Sequence, residues 1–237
     1  MTGPEFFEKN RYIHVKGMIP KDICNIATQY SLYDHLQDFA PEGDNAQIPG
    51  THSKYGDPLM ETLLKFSKPH MEKHTGLKLI PTYAYYRVYK PGDILKRHKD
   101  RPSCEISTTI TLGWKYKGVS PDYRWSMFVG DSDGSIGTKG NMLVCEPGDC
   151  IIYRGCEIEH WREPFQVGEG SWHTQVFLHY INADGPYAGI CDFDGRPDIG
   201  YPNGSGTPEK KEAMKRADEL LSKEKALHYD NQHIKEE

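Results

Sequence analysis

The sequence predicts an α+β fold in which helices pack on the outside of a double-sheet jelly roll. Two observations lead to this prediction. From Leu77 to about Tyr180, short β-rich runs follow one another with turn residues between them and no helical pattern. Before and after this region, apolar residues recur at helical spacing. The sheets should therefore form the core, and the helices should cover it from outside.

The first 76 residues are predicted to support the sheets with one strand and two helices. The run YIHVKGMI alternates as a short strand does, and a helix is expected to begin after Pro20. The polar stretch from Phe39 to Asp57 is predicted to be a loop. A second helix should begin at Asp57-Pro58, an N-cap followed by proline, and end at Gly76.

Residues 77–184 are predicted to form the jelly-roll core. Its strands are LIPTYAYYRVY, CEISTTITLGW, YRWSMFVGD, NMLVCEP, GDCIIYRG and SWHTQVFLHYI. Turn residues at 91–93, 131–141 and 147–149 separate them. Residues 185–237 are predicted to be a loop and a C-terminal helix that begins at Thr207-Pro208. All 237 residues are expected to form a single domain.

Composition and charge exclude several classes of protein. Hydrophobic residues make up 37% of the chain and aromatic residues 11%, which is enough to build a core and argues against general disorder. The net charge of −5 disfavours non-specific nucleic-acid binding. Neither a membrane span nor a signal peptide is apparent. We therefore expect a cytoplasmic protein that does not enter membranes, with its six cysteines reduced.

Three polar residues form a candidate metal site. His98 and Asp100 follow a predicted strand and a turn, and on an extended segment two residues separated by one point the same way. His160 lies far downstream, after another predicted strand. Two imidazoles and one carboxylate match the facial triad that binds non-haem Fe(II) and leaves coordination positions open.

The order of these motifs resembles that of the Fe(II)/2-oxoglutarate-dependent oxygenases, in the prolyl-hydroxylase-like subgroup. The resemblance runs from about Leu77 to Asp184 through YYRVYKPGDxLxxHxD, a strand pair, PGDxxxYRGxxxxHWREPF and QVFLHY. It implies a double-stranded β-helix, which is a cupin-like jelly roll. It also implies that His98, Asp100 and His160 are the iron ligands and the catalytic centre.

The resemblance further implies a reaction. Fe(II), 2-oxoglutarate and O2 would be required, with ascorbate as a candidate stimulant, and an unactivated C–H bond would be hydroxylated. The co-substrate 2-oxoglutarate would be decarboxylated to succinate and CO2. The substrate stays open between a peptide, with proline as one candidate, and a free amino acid or other small metabolite; the oligomeric state is also open. The alternative function is a non-catalytic cupin-like module that binds a metal or ligand.

The residue that anchors the far carboxylate of 2-oxoglutarate is ambiguous, because the sequence departs from the family here. Relatives carry an Arg or Lys shortly after the distal His, where this chain has His173. Arg162 and Arg87 rank equally as substitutes, with His173 slightly behind, because a guanidinium binds a carboxylate through two hydrogen bonds. Tyr89 falls near a strand tyrosine that helps to hold 2-oxoglutarate in relatives.

Overall fold

The computed structural model describes residues 1–37 and 47–233. Within them the helices are α1 (Gly3–Asn10), α2 (Lys21–Gln37), α3 (Pro58–Thr75) and α4 (Pro208–His233). The strands are β1 (Tyr12–Val15), β2 (His52–Tyr55), β3 (Leu79–Tyr89), β4 (Leu95–His98), β5 (Ile106–Lys115), β6 (Met127–Val129), β7 (Asn141–Leu143), β8 (Cys150–Arg154), β9 (His160–Arg162) and β10 (Trp172–Asn182). Short 3₁₀ turns lie at Pro102–Cys104 and Asp192–Gly195.

The described strands form two antiparallel sheets. The larger sheet has the order β1-β8-β5-β10-β3-β2, and the smaller has the order β4-β9-β6-β7. Strands that are distant in sequence are therefore neighbours, as in a jelly roll. The predicted combination of two sheets with helices outside them is confirmed.

The larger sheet separates the main hydrophobic core from the space between the two sheets. On β5, Ile106, Ile110 and Leu112 pack with residues of α2 and α3 in the main hydrophobic core. The intervening side chains point the other way, between the two sheets, because successive residues of a strand face opposite sides. These inward residues include Thr109 and Thr111, which are fully buried. Buried polar side chains thus share the space between the sheets with two smaller apolar clusters, while the main hydrophobic core lies on the other side of the same strands.

Helix α3 has the ends that the sequence predicts. The Asp57 carboxylate accepts hydrogen bonds from the N–H groups of Leu59 (3.0 Å) and Met60 (3.2 Å), and the helix ends at Gly76 with φ of 74°. In this region of φ, glycine avoids the strain that a side chain would cause.

Helix α1 and three short strands, β2, β4 and β9, were not predicted. Helix α1 is short and is stabilised at its start by a capping box between Thr2 and Glu5. Strand β2 lies within the predicted loop, where its residues HSKY are all half-buried and give no alternating pattern. It forms by backbone pairing with the edge of β3, which the residue types do not reveal. Residues 39–46 of the same predicted loop lie outside the described residues.

No helix among residues 1–37 and 47–233 combines the length and the apolar character required to cross a bilayer. The six cysteines are all buried and none is in a disulfide.

A buried ion pair joins α3 to the segment that follows β10. Arg196 donates to Glu61 Oε1 at 2.6 Å and to the Thr82 carbonyl at 2.9 Å, and both charged side chains are almost completely buried. The adjacent Asp194 accepts from Arg101 at 2.7 and 2.9 Å. The Arg196–Glu61 pair therefore fixes the segment that contains Asp194, and Asp194 in turn binds Arg101.

We expect Glu61→Ala to lower the free energy of unfolding by about 3–5 kcal/mol, because it leaves the Arg196 charge buried without its partner. Urea denaturation is the measurement. As a control, Glu212→Ala removes the exposed pair with Arg216 and should cost less than about 1 kcal/mol. Equal losses in the two variants would contradict this assignment.

Candidate metal centre

The two histidines of the candidate site face each other across neighbouring strands. His98 ends β4 and His160 begins β9, and the two residues are paired in register, so their side chains share the inner face of the smaller sheet. Asp100 follows β4, where its N–H donates to the Gly155 carbonyl at 2.8 Å. Its Oδ1 lies 3.6 Å from His98 Nε2 and 3.4 Å from His160 Nε2. The three side chains thus converge on one point.

Hydrogen bonds to backbone carbonyls orient both imidazoles. His98 Nδ1 lies 2.7 Å from the Lys96 carbonyl, and His160 Nδ1 lies 3.3 Å from the Ile158 carbonyl. Because a carbonyl only accepts, we assign the ring hydrogen to Nδ1 in each case. The lone pairs on Nε2 then point towards Asp100, which is the usual arrangement of histidines that ligate a metal.

The charge states of the site also suit a cation. Burial and the nearby His160 lower the pKa of His98 to about 4, so this imidazole is neutral near pH 7. Burial raises the pKa of Asp100, but the two histidines outweigh it and hold that pKa well below its ordinary value. Neutral imidazole and ionised carboxylate are the forms that bind a metal ion.

Close packing fixes the Asp100 carboxylate. A methyl group added at Gly155 would overlap both this carboxylate and the Cys104 carbonyl oxygen. Ser107 Oγ lies 3.3 Å from Asp100 Oδ2 and 2.8 Å from His179 Nδ1. Asp100, Cys104 and His179 also lie close enough together to be a second ligand group, which shares its carboxylate with the first.

A cavity of about 370 Å3 opens beside the three residues. Arg87 lines it and is almost completely buried. Its guanidinium lies 3.2 Å from Gln47 Oε1, 3.3 Å from the Tyr85 hydroxyl and 3.5 Å from the Tyr89 hydroxyl. A cationic group and three ligand-type side chains therefore share one cavity.

The other two candidate anchors lie deeper between the sheets and do not line this cavity. Arg162 donates to the Trp125 carbonyl at 2.6 Å and to Gln175 Oε1 at 3.2 Å. His173 Nε2 lies 2.6 Å from the same Gln175 oxygen, and its Nδ1 lies 2.7 Å from the Tyr116 hydroxyl. Burial and the Arg162 charge lower the pKa of His173 to about 3, so this imidazole carries no charge near pH 7.

Several residues of the cavity were not predicted. Gln47 Nε2 lies 3.0 Å from His98 Nε2, so its amide bridges His98 and Arg87. Tyr83 and Cys104 line the cavity, with 3.1 Å between the phenol oxygen and the sulfur. Tyr83 alternates with Tyr85 and Arg87 along β3, so its inward direction could have been predicted. The contact of Gln47, which lies in a loop, has no comparable signal.

A scan of the sequence against models of protein families finds no match, and a search of curated proteins finds none either.

Solved structures do match. A prolyl-4-hydroxylase from Pseudomonas putida aligns with 75% of this chain and 96% of its own, at 14% identity and a TM-score of 0.54. The epimerase SnoN from nogalamycin biosynthesis is described as non-haem and alpha-ketoglutarate-dependent. It aligns with 84% of this chain and 90% of its own, at 14% identity and a TM-score of 0.64. HygX from Streptomyces hygroscopicus was solved with nickel and 2-oxoglutarate. It aligns with 85% of this chain and 93% of its own, at 11% identity and a TM-score of 0.56.

The chain has the fold of the Fe(II)/2-oxoglutarate-dependent oxygenases. This fold is the double-stranded β-helix, so the predicted fold class is confirmed.

We expect Gly155→Ala to weaken metal binding by about 10–100-fold, the usual effect of disturbing a group that orients a ligand. Calorimetric titration of the protein with Mn(II) is the measurement. Gly3→Ala is a matched control, because its new methyl group would meet no atom closer than 3.4 Å. Unchanged Mn(II) affinity in Gly155→Ala would contradict the role of close packing at Asp100.

Proposed function

We propose that this protein is an Fe(II)/2-oxoglutarate-dependent dioxygenase that hydroxylates an unactivated C–H bond. The observation that carries the proposal is the convergence of two Nε2 atoms and one carboxylate in a cavity that also contains a buried guanidinium. The fold agrees with this function, but a fold alone does not define an activity.

His98, Asp100 and His160 suit Fe(II), because two imidazoles and one carboxylate on one side leave other coordination positions open. Both imidazoles are oriented by backbone carbonyls, and His98 is neutral and Asp100 ionised near pH 7, as described above. Gln47 must release His98 Nε2 when a metal binds, because that nitrogen has one lone pair. When bound, the iron would supply O2 activation, in which 2-oxoglutarate and O2 yield succinate and CO2 as one oxygen atom enters the substrate C–H bond.

We further propose that Arg87 binds the far carboxylate of 2-oxoglutarate. Of the three candidates, it alone lines the cavity beside the metal ligands. Tyr85 also lines the cavity, and its hydroxyl, close to the guanidinium, adds a hydrogen-bond donor for an anion. Tyr89 contacts the guanidinium but is not among the residues that line the cavity. Arg162 is already bound to a carbonyl and an amide oxygen, and His173 is uncharged, which supports this order.

The structural neighbours differ in what they do, which leaves the substrate open. One is named a prolyl-4-hydroxylase, SnoN was solved with nogalamycin RO, and HygX was solved with hygromycin B. Both peptides and small molecules are therefore substrate candidates here. The alternative, a module that binds metal or ligand without turnover, is tested by the same experiment as the enzyme.

We expect the protein to bind one Fe(II) per chain and, without added substrate, to convert 2-oxoglutarate slowly to succinate. Loss of a residue that only hydrogen-bonds a metal ligand typically lowers metal affinity about 10–100-fold. His98→Ala or His160→Ala should lower it further, because each removes a direct ligand. Metal analysis and succinate assays are the measurements. Full iron occupancy in both variants would contradict the site; bound iron with no succinate under any condition would favour the non-catalytic module.

Arg87→Ala should weaken 2-oxoglutarate binding to the Mn(II)-loaded protein by about 30-fold, or ~2 kcal/mol, because a charged hydrogen-bonding partner is lost. Arg87→Lys should recover only part of this affinity, because an ammonium cannot form the two parallel hydrogen bonds. Arg216→Ala, an exposed change on α4, is the control. Calorimetry at saturating metal is the measurement.

The pH dependence distinguishes the three anchors. An arginine stays charged, so 2-oxoglutarate affinity at saturating metal should be nearly constant between about pH 7 and 8.5. A histidine anchor would have a pKa raised by the bound carboxylate, and its contribution would be lost as the pH rises through that value. If 2-oxoglutarate affinity falls steeply as the pH rises and His173→Gln abolishes that fall, His173 is the anchor. If only Arg162→Ala lowers 2-oxoglutarate affinity, the anchor is Arg162.

A further inference from the structure

A second and larger cavity lies beside the candidate metal centre. It has a volume of about 730 Å3 and shares His98 and Lys99 with the first cavity. Its walls include the loop between β6 and β7, the loop after β10, and helix α4. This volume is within the range of sites that hold small molecules, about 300–1,000 Å3. A molecule bound there would lie against a metal ligand.

Acidic side chains predominate in the walls of this cavity. Three basic residues line it, and two of them, Arg11 and Arg154, both pair with Glu157 at 3.2 Å. The third, Lys99, donates to the Gly134 carbonyl at 2.9 Å and so holds the β6–β7 loop against the cavity. The acidic residues that line it are Glu105, Asp133, Glu157, Glu159, Asp184 and Glu224.

The acidic charge is only partly neutralised. Glu159 pairs at 2.9 Å with Arg97, which does not line the cavity. Four of the acidic residues form no ion pair with any residue in the described part of the chain. They are Glu105, Asp133, Asp184 and Glu224. The cavity therefore presents an excess of negative charge to whatever enters it.

Glu105 is the most informative of these four residues. It is half-buried, and its Oε2 accepts the Asn182 N–H at 2.8 Å. Burial raises the pKa of this carboxyl, while the Asn182 N–H and Arg154 oppose the rise. Among the described residues Glu105 forms no ion pair, although the Arg154 charge is near enough to affect it, and half-buried carboxylates of this kind in clefts are typical of binding sites.

We propose that this cavity is the substrate site and that the substrate carries an amino or guanidino cation, which binds at Glu105. The inference rests on the proposed function, since it places the reacting C–H bond beside His98. A free polyamine and a basic side chain of a peptide supply the same cationic nitrogen, and the experiment below distinguishes them. The β6–β7 loop covers the bound molecule from one side.

The test is calorimetric binding to the full chain loaded with Mn(II) and 2-oxoglutarate. The probes are spermidine, its triacetylated neutral form, and a tetralysine peptide with capped ends. We expect at least one cationic probe to bind at least tenfold more tightly than the neutral one, and its affinity to fall as salt screens the charges. Stronger binding of spermidine indicates a free amine, and stronger binding of tetralysine indicates a peptide.

Variants locate the binding. Glu105→Gln keeps the shape and an oxygen for the Asn182 N–H, and should weaken the preferred cationic probe about fivefold or more without changing 2-oxoglutarate binding. Asp184→Asn, on the exposed rim, is a second variant for which folding is not at risk, and it should weaken the probe by a smaller factor. Glu169→Gln removes an exposed carboxylate outside the cavity and should have no effect.

Two outcomes overturn the inference: cationic probes that bind no better than the neutral one, or cationic binding that neither cavity variant weakens. Either of these results, together with normal metal binding and succinate formation, leaves the proposed function intact. If instead metal binding and succinate formation fail, the proposed function fails. The probe titrations are therefore repeated without metal, where binding that depends on Glu105 would still identify the cavity as a cation site.

Discussion

The structure depends on a set of polar side chains buried between the two sheets. Such groups are tolerated only when they are hydrogen-bonded, and here Gln175 connects them. Its oxygen lies within hydrogen-bonding distance of Arg162, His173 and Thr111, and its amide nitrogen donates to Thr109. Thr109 and Thr111 lie on β5, His173 lies on the same strand as Gln175, and Arg162 lies on β9 of the smaller sheet, so the network links the two sheets through Arg162. Because Arg162 and His160 share β9, the same link connects the larger sheet to the strand that carries one of the candidate ligands.

The same network explains why two buried arginines have different capabilities. Arg162 lies opposite Leu95 in the sheet and is bound to the network, with a backbone carbonyl as its second acceptor. Arg87 lies opposite Gln175 on the neighbouring strand, yet its guanidinium extends towards the cavity and the phenols of Tyr85 and Tyr89. Arg162 is held in the interior, whereas Arg87 lines the cavity, where Gln47 and two tyrosine hydroxyls contact its guanidinium. Strand register, and not residue type, decides which is which.

This difference marks what could be predicted from the sequence. The alternation of side chains on a strand is local, so it correctly indicated that His98 and Asp100 would point the same way, and the strand-rich middle of the chain predicted the jelly roll. How deeply a side chain lies between the sheets cannot be predicted from local sequence, because it depends on how β3, β9 and β10 align. The sequence therefore left Arg87, Arg162 and His173 as competing anchors.

Contacts that join distant loops were also beyond sequence reasoning. Strand β2 pairs with the edge of β3, and its side chains contact distant residues such as Asp34 and Asp194, which no local pattern reveals. Glu105 faces the second cavity because Asn182, at the far end of β10, binds its carboxylate. Nothing in the residues around Glu105 indicates this neighbour, which is more than seventy positions away. Contacts of this kind can be recognised only from the tertiary structure.

The two cavities that meet at His98 have opposite electrostatic character. Arg87 favours an anion in the smaller cavity, whereas Glu105 and its acidic neighbours favour a cation in the larger one. Like charges brought together out of water repel strongly, so each cavity disfavours the ligand that suits the other. An anionic co-substrate would thus be kept out of the larger cavity without any steric barrier. The wall between the cavities is thin, because among the described residues they share only His98, a proposed metal ligand, and Lys99, so a cationic substrate and an anionic co-substrate could lie close together while each stays in its own cavity.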